Sequence, residues 1–307
     1  MKQRLLAATL VALFILSGCA GEDSDSGRSS KKKSTKSSPE VSEEVSPMPS
    51  ADEEPETEDI STTSRDRDLL LSFLDGEIAA EVGEDANFDL DNTTSLSMQE
   101  YTQYTIATDD AQSWEVSYAL METMGGREML AVYCSGMYQW GDFGSYGIFG
   151  VYDDQVRLTY YDSFGYRIQS ELYQDLILTG SGSGGAGDHI VWCGYIADDG
   201  NYREVYRLET LGGPWVAMYA SSVFGFDTDW ANNCECYILT TDDGTYYELI
   251  EGEGTNAGKL AQLRDYFAQR GMIEIDDVDD ALQRVEKAHG VEDPIPFDDW
   301  ILWGAKD

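Results

Sequence analysis

Between residues 113 and 250 apolar and polar side chains alternate with a period of two, the spacing that sets every second residue on one face of a β-strand. Strands are predicted at 114–120, 129–134, 146–152, 156–161, 190–196, 202–208, 215–220, 236–240 and 245–250. Several are joined by Asp-Asp turns: Asp153-Asp154-Gln155, Asp198-Asp199-Gly200 and Asp242-Asp243-Gly244. Asp-Gly between alternating strands signals a hairpin, because Gly accepts the positive φ of the turn. On either side the period lengthens to that of a helix. Near the front, from about Asp68, Leu69, Leu70, Phe73 and Leu74 share a helical face that Gly76 ends, and Ser97-Met98-Gln99-Glu100 has the form of a capping box. Towards the end, Leu260, Leu263, Tyr266 and Phe267 mark one helix stopped by Gly271. Leu282, Val285 and Ala288 mark another, which begins among the acids of 276–280 and stops at Gly290. The aromatic tail, Phe297 to Trp303, has enough apolar surface to dock on the sheet.

The predicted fold is therefore α+β, mainly antiparallel β with flanking N- and C-terminal helices, in one domain over residues 66–307. Asp-Asp pairs at 109, 153, 198 and 242 recur at about 45 residues, a period that a β-propeller blade would give. A plain antiparallel meander is the alternative.

Ahead of that domain the pattern is different. Lys2 and Arg4 precede an apolar run from Leu5 to Leu16, the layout of a secretory signal and too short to cross a bilayer of about 30 Å as a helix. The ending Leu16-Ser17-Gly18-Cys19 resembles the lipobox of bacterial lipoproteins. That resemblance implies cleavage after residue 18, diacylglycerol on the Cys19 sulfur and a chain held on the extracytoplasmic side of the cell membrane. Residues 19–65 are rich in Ser, Lys and Glu with almost no large apolar side chain, so they are expected to be a disordered tether. Such a coil averages about 40 Å end to end and stretches to about 150 Å.

Charge narrows the partners. The chain of 307 residues carries a net −38, and loss of Lys2 and Arg4 with the signal takes this to −40. Nucleic acid, which demands Lys/Arg patches to displace counterions, is excluded as a partner. Two histidines leave no room for a His cluster, and the cysteines lack zinc-site spacing, so neither a metal nor a cofactor is expected. With Cys19 lipidated, Cys134, Cys193, Cys234 and Cys236 remain, an oxidising compartment allowing up to two disulfides. Cys234 and Cys236 are two apart and point to one face of a strand, so they are expected to partner Cys134 and Cys193 in some order, or one pair stays reduced.

Candidate chemistry concentrates in the glycine-rich stretch 180–189. Gly180, Gly182 and Gly185 match G-x-G-x-x-G, but a strand follows at 190–192 where a phosphate site needs a helix, which excludes nucleotide binding. Ser181 or Ser183 with His189 lacks the G-x-S-x-G elbow, and Asp188 is too close in sequence to orient the imidazole. The expectation is a loop at which Gly182, Ser183, Gly184, Asp188 and His189 meet a ligand. Tyr138 and Trp140, among glycines, suit either stacking on sugar rings or packing in the sheet core.

Residues 118–130 (YALMETMGGREML) resemble a strand–DxNGDGxxEL–strand segment of calcium-loop repeats of the FG-GAP and dockerin-like kind, which recurs in surface lipoproteins of clostridia-like bacteria. Residues 73–80 (FLDGEIAA) and Phe164-Gly165-Tyr166 are also similar to that group. Here Glu122 stands at the first Asp, Met124 replaces the second ligand and the third Asp is missing, so too few oxygens remain for calcium. The resemblance implies a cell-surface lipoprotein. The sequence as a whole is expected to encode a lipid-anchored, non-enzymatic binding domain, with wall glycan or a surface protein as ligand. A carboxylate-dependent hydrolase of cell-envelope or polysaccharide substrates is the alternative.

Overall fold

The structure is a computed structural model and describes residues 59–84, 86–88, 94–106, 111–139, 141–165, 167–185 and 187–306. Cys19, most of the expected tether, Asp109-Asp110 and Trp140 lie outside the described residues. Helix α1 (Asp59–Leu74) leads to the short strands β1 (Ala80–Val82) and β2 (Ser95–Leu96), then to α2 (Met98–Ile106). Ten strands follow: β3 (Ser113–Glu122), β4 (Glu128–Tyr138), β5 (Gly141–Tyr152), β6 (Gln155–Gly165), β7 (Ile168–Leu172), β8 (Ile177–Gly185), β9 (Asp188–Ile196), β10 (Tyr202–Gly212), β11 (Cys234–Thr241) and β12 (Gly244–Glu251). Between β10 and β11 lie two short helices, α3 (Pro214–Tyr219) and α4 (Ser221–Phe224). After β12 come α5 (Ala257–Gln269), the two-residue β13 (Ile273–Glu274), α6 (Val278–His289) and the edge strand β14 (Ile301–Lys306).

Each strand from β3 to β12 pairs antiparallel with the next, with β14 on the outer edge of β3 and β13 on that of β12. This is a meander in one hydrogen-bonded sheet. The recurring Asp-Asp pairs at 153, 198 and 242 are its hairpin turns, not blade boundaries: they join β5 to β6, β9 to β10 and β11 to β12.

The sheet divides its work at β6. That strand touches β7 through a single pair, Gly165 with Ile168, and its other end is taken by β1, parallel at Glu81–Arg157. Beyond this point the sheet turns back, and one face of β3–β5 packs on β7–β9. Ala119, Met121, Met129, Ala131, Tyr146 and Ile148 share a core there with Leu172, Leu178 and Ile196. The opposite face of β3–β6 is covered by Leu70 and Phe73 of α1 and Met98, Tyr101 and Ile106 of α2. Strands β4 and β5 are thus buried on both faces, so Met129 to Val132 is uniformly apolar rather than alternating.

The C-terminal half is also a three-layer arrangement. Cys236, Ile238 and Tyr247 face Val216 of α3, Phe224 of α4 and Leu260, Leu263 and Phe267 of α5. Cys193, Tyr206 and Leu239 on the other face are covered by Val278 and Ala281 of α6.

Local signals explain the helix ends. In α2 the expected capping box is formed: Ser97 N donates to Glu100 Oε2 at 2.8 Å and Glu100 N donates to Ser97 Oγ at 3.3 Å. For α6, Asp280 N donates to Asp277 Oδ1 at 2.9 Å, and Gly290 ends the helix at φ +68°.

Three expectations need correction. Residues 215–220 are helical, not extended, because Gly213 breaks the ladder and Pro214 supplies the φ of a first helical turn. Helix α1 begins at Asp59, well before Asp68. All four described cysteines are free thiols. Cys134 sits under α2, Cys193 under α6, and Cys234 with Cys236 on the opposite face beneath α5, so the expected pairs are held apart by layers of the fold. Burial pushes the thiols of Cys134, Cys193 and Cys236 up to about 12. Native protein should therefore leave these thiols unlabelled by a thiol reagent, and denaturation without reductant should release all four. Fewer titrated thiols in that denatured sample would mean that a disulfide had formed.

Residues 118–130, the stretch similar to a calcium loop, form the β3–β4 hairpin. Its turn is clasped to the β9–β10 turn. Thr123 Oγ1 donates to the Asp198 carboxylate, and Arg127 donates to Asp198 O at 2.9 Å and, through its other terminal nitrogen, to Val151 O. The Arg127 guanidinium also lies 4.1 Å above the Tyr152 ring.

One acid has a buried carboxylate oxygen near the point where β6 and β7 part. Asp162 Oδ2 has no hydrogen-bond partner among the described residues, and burial raises its pKa above the ordinary carboxyl range. A raised native pKa means that the folded state holds the proton more tightly, so stability falls as pH climbs from the unfolded value near about 3.9 to the native one. Asp162→Asn removes that titration. Relative to wild type, the variant should gain stability as pH rises through this window, read by urea unfolding at several pH values. A constant difference across the range would contradict the assignment.

Candidate functional site

The glycine-rich stretch is a strand rather than a loop. Gly180, Gly182 and Gly184 alternate along one face of β8, and Trp192, Ile190 and Asp188 of β9 fold over the space where side chains would be. A Cβ at Gly180 would lie 2.1 Å from the Trp192 ring, one at Gly182 would lie 3.2 Å from Ile190, and one at Gly184 would lie 2.4 Å from the Asp188 carboxylate. Close approach, not mobility, requires these glycines. The turn itself is short. Gly187 has φ +91°, and its carbonyl accepts from Gly212 N at 2.6 Å, which ties the turn to the end of β10.

On the opposite face the register builds a row that no single segment contains. Ser183 pairs with His189, His189 with Thr210, Thr210 with Tyr237 and Tyr237 with Glu248, so five neighbouring strands each contribute one polar side chain in line. At about 4.8 Å per strand the row is about 19 Å long, and its part from Ser183 to Tyr237 about 14 Å. It marks the limit of the cover supplied by α6. Val278 N at the start of that helix donates to Glu248 Oε2 at 2.9 Å, and the sheet face beyond is open. There Ser183, Gly187, His189, Thr210, Glu235 and Tyr237 line a groove of about 400 Å³.

Its chemistry is that of hydroxyls, one imidazole, one phenol and one carboxylate. Tyr237 Oη donates to Glu235 Oε2 at 3.2 Å, and Ser183 Oγ donates to the backbone carbonyl of Asp188 at 3.1 Å. Asp188 also borders the groove, but its alternation in β9 turns the carboxylate to the other face, over Gly184. Glu209 is near it there. Burial pushes Glu209 up, Arg207 opposes this, and Asp188 adds to the rise. The acid pair therefore lies across the sheet from the groove, whose own acidic side chain is Glu235. Two facing carboxylates, as glycoside hydrolysis requires, are not gathered on this lining.

The expected site residues thus separate. Ser183 and His189 line the groove through their side chains and Asp188 through its backbone. Gly182 is buried beneath Ile190, and Gly184 lies on the opposite face beneath the Asp188 carboxylate. Tyr138 is core: it is 8% exposed and edge-on to Phe143 at 6.2 Å between ring centres, which removes it as a stacking platform. Thr210, Glu235 and Tyr237 were not legible as site residues, because only the pairing of β9, β10 and β11 brings them beside His189. A second depression, of about 420 Å³, lies between α1 and β1 beside Gln155 and is lined in part by Leu69, Ile78 and Val156. Among the described residues no group of three or more His, Cys, Asp and Glu is placed to hold a metal ion, and no described helix is long and apolar enough to cross a membrane. In comparisons with protein-family models, curated proteins and solved structures, the chain matches none.

Proposed function

We propose that this chain is a lipid-anchored extracytoplasmic binding protein, and that the groove along Ser183, His189, Thr210 and Tyr237 receives an extended polar ligand, wall glycan being the best fit. The observation that carries the reading is the in-register row of polar side chains on an open sheet face. An open strip about 14 Å long suits a linear chain of hydroxyl-bearing units better than a compact metabolite. Hydroxyl, imidazole and carboxylate groups offer both donors and acceptors, and the half-buried Tyr237 ring adds an apolar surface beside them. The lipobox-like start supplies the address. A hydrolase reading is weaker here, since the lining offers one side-chain carboxylate where that chemistry uses two.

Histidine scarcity makes the reading testable. His189 borders the groove and the other histidine, His289, ends α6. Titration with soluble wall-glycan fragments should shift the ring resonances of His189 and leave those of His289 in place. Equal shifts at both, or none at saturating fragment, would remove this groove as the glycan site.

A further inference from the structure

The α3–α4 connection is the part of the surface that departs furthest from the acidic character of the chain. Residues 210–226 carry no charged side chain in a protein of net charge −38. Val216, Ala217, Ala220 and Phe224 point inward, as expected for short helices packed on a sheet. Much of their outward face is apolar as well: Met218, Tyr219 and Val223 are exposed beside the uncharged Ser221 and Ser222, and Phe226 is 98% exposed on the turn that follows Gly225, at φ +60°. A cluster of large exposed apolar side chains with no charge among them marks a surface that meets a second apolar environment.

We propose that this tip inserts into the interfacial region of a lipid bilayer. Three observations favour lipid over a protein partner. Phe226 projects almost fully from a glycine turn, whereas protein interfaces are broad surfaces ringed by polar and charged groups. It is free of charge, the requirement for entering the acyl boundary, and the nearest acid, Asp227, is paired with Lys259 at 2.9 Å. Reach is also sufficient. It rests on the lipid-anchored reading proposed above: from an anchor at Cys19 the chain to residue 58 spans at most about 140 Å when extended. Insertion would orient the β10–β11 end of the domain towards the membrane, with the groove beside it: Trp215 at the base of α3 comes within 3.2 Å of the position of a Cβ on Gly187. The surrounding acidity makes neutral, zwitterionic lipid the preferred surface.

The test is vesicle flotation with the chain from Ala20 onward, which keeps every described residue and lacks the lipid. Phosphatidylcholine vesicles avoid attraction of the basic residues 31–36 to anionic lipid. Wild type should float with them, unaffected by about 0.5 M NaCl. Val223→Asp with Phe226→Asp should lower the bound fraction at least about 10-fold, and Phe226→Ala alone should lower it measurably, both at unchanged melting temperature. The proposal is overturned if wild type stays in the dense fraction. Flotation equal in the aspartate variant, or flotation that needs phosphatidylglycerol and vanishes in salt, would also overturn it. So would a solution dimer that the same substitutions dissociate.

Discussion

Phe149→Ala should destabilise the domain by about 3–5 kcal/mol, the largest single-residue loss expected in this structure. Phe149 is fully buried on β5 at the meeting point of both N-terminal helices. Its ring centre lies 4.6 Å from that of Phe73 on α1 and 5.3 Å from that of Tyr101 on α2. Truncation leaves a void lined by rings that cannot close on it, because Tyr101 is itself wedged against the backbone: a Cβ at Gly147 would lie 2.2 Å from its hydroxyl. Phe149→Leu, which keeps most of the volume, should recover more than half of the loss. Urea unfolding monitored by circular dichroism reads both. A cost below about 1 kcal/mol for the alanine variant would mean that α1 and α2 do not pack on β5 as described.

Arg127→Ala should cost about 2–4 kcal/mol, a large effect for a side chain near a turn. Three interactions are lost together: the hydrogen bonds to the carbonyls of Asp198 and Val151, and the stacking on Tyr152. Hydrogen bonds from a charged donor contribute about 1.5–3 kcal/mol, and a cation over an aromatic face about 0.5–1 kcal/mol at a partly exposed site. The contacts overlap, so their values do not simply add. Lysine supplies the charge without the planar fork and cannot reach both carbonyls, so Arg127→Lys should recover less than half. These bonds link the β3–β4 turn to the β9–β10 turn, hence the two halves of the folded-back sheet. The variant should also speed amide exchange in both turns, and faster exchange confined to the β3–β4 turn would contradict the clasp.

The linear pattern carries local signals and not those that depend on strand pairing. Capping signals are local, so Ser97 with Glu100, and the acids of 276–280 with Gly290, mark helix ends that the structure forms. Asp-Asp turns were equally local and marked three hairpins of the meander. Gly180 to Gly185 misled because a glycine run reads as loop when only its own flexibility is considered. The reason for those glycines is Trp192, Ile190 and Asp188 on the next strand, which a linear pattern does not display. Residues 215–220 misled in the other direction: Trp, Val and Tyr have strand character, but Pro214 starts a helix. The groove was half visible, through Ser183, Asp188 and His189. Its other half depends on the registers that set Thr210 and Tyr237 in line with them, and register is a property of paired strands.

Whether the groove binds wall glycan without consuming it is read by thermal unfolding of the chain from Ala20 in the presence of soluble glycan fragments. Ligand at about 100 times its Kd adds about 2.7 kcal/mol to the folded state, which raises the melting temperature of a domain this size by about 5–10 °C. Wild type should show that shift, His189→Ala with Thr210→Val should lose it with unchanged melting of the unliganded variant, and the glycan should be recovered intact. No shift at any concentration, an equal shift in the variant, or cleaved glycan would contradict that reading of the groove.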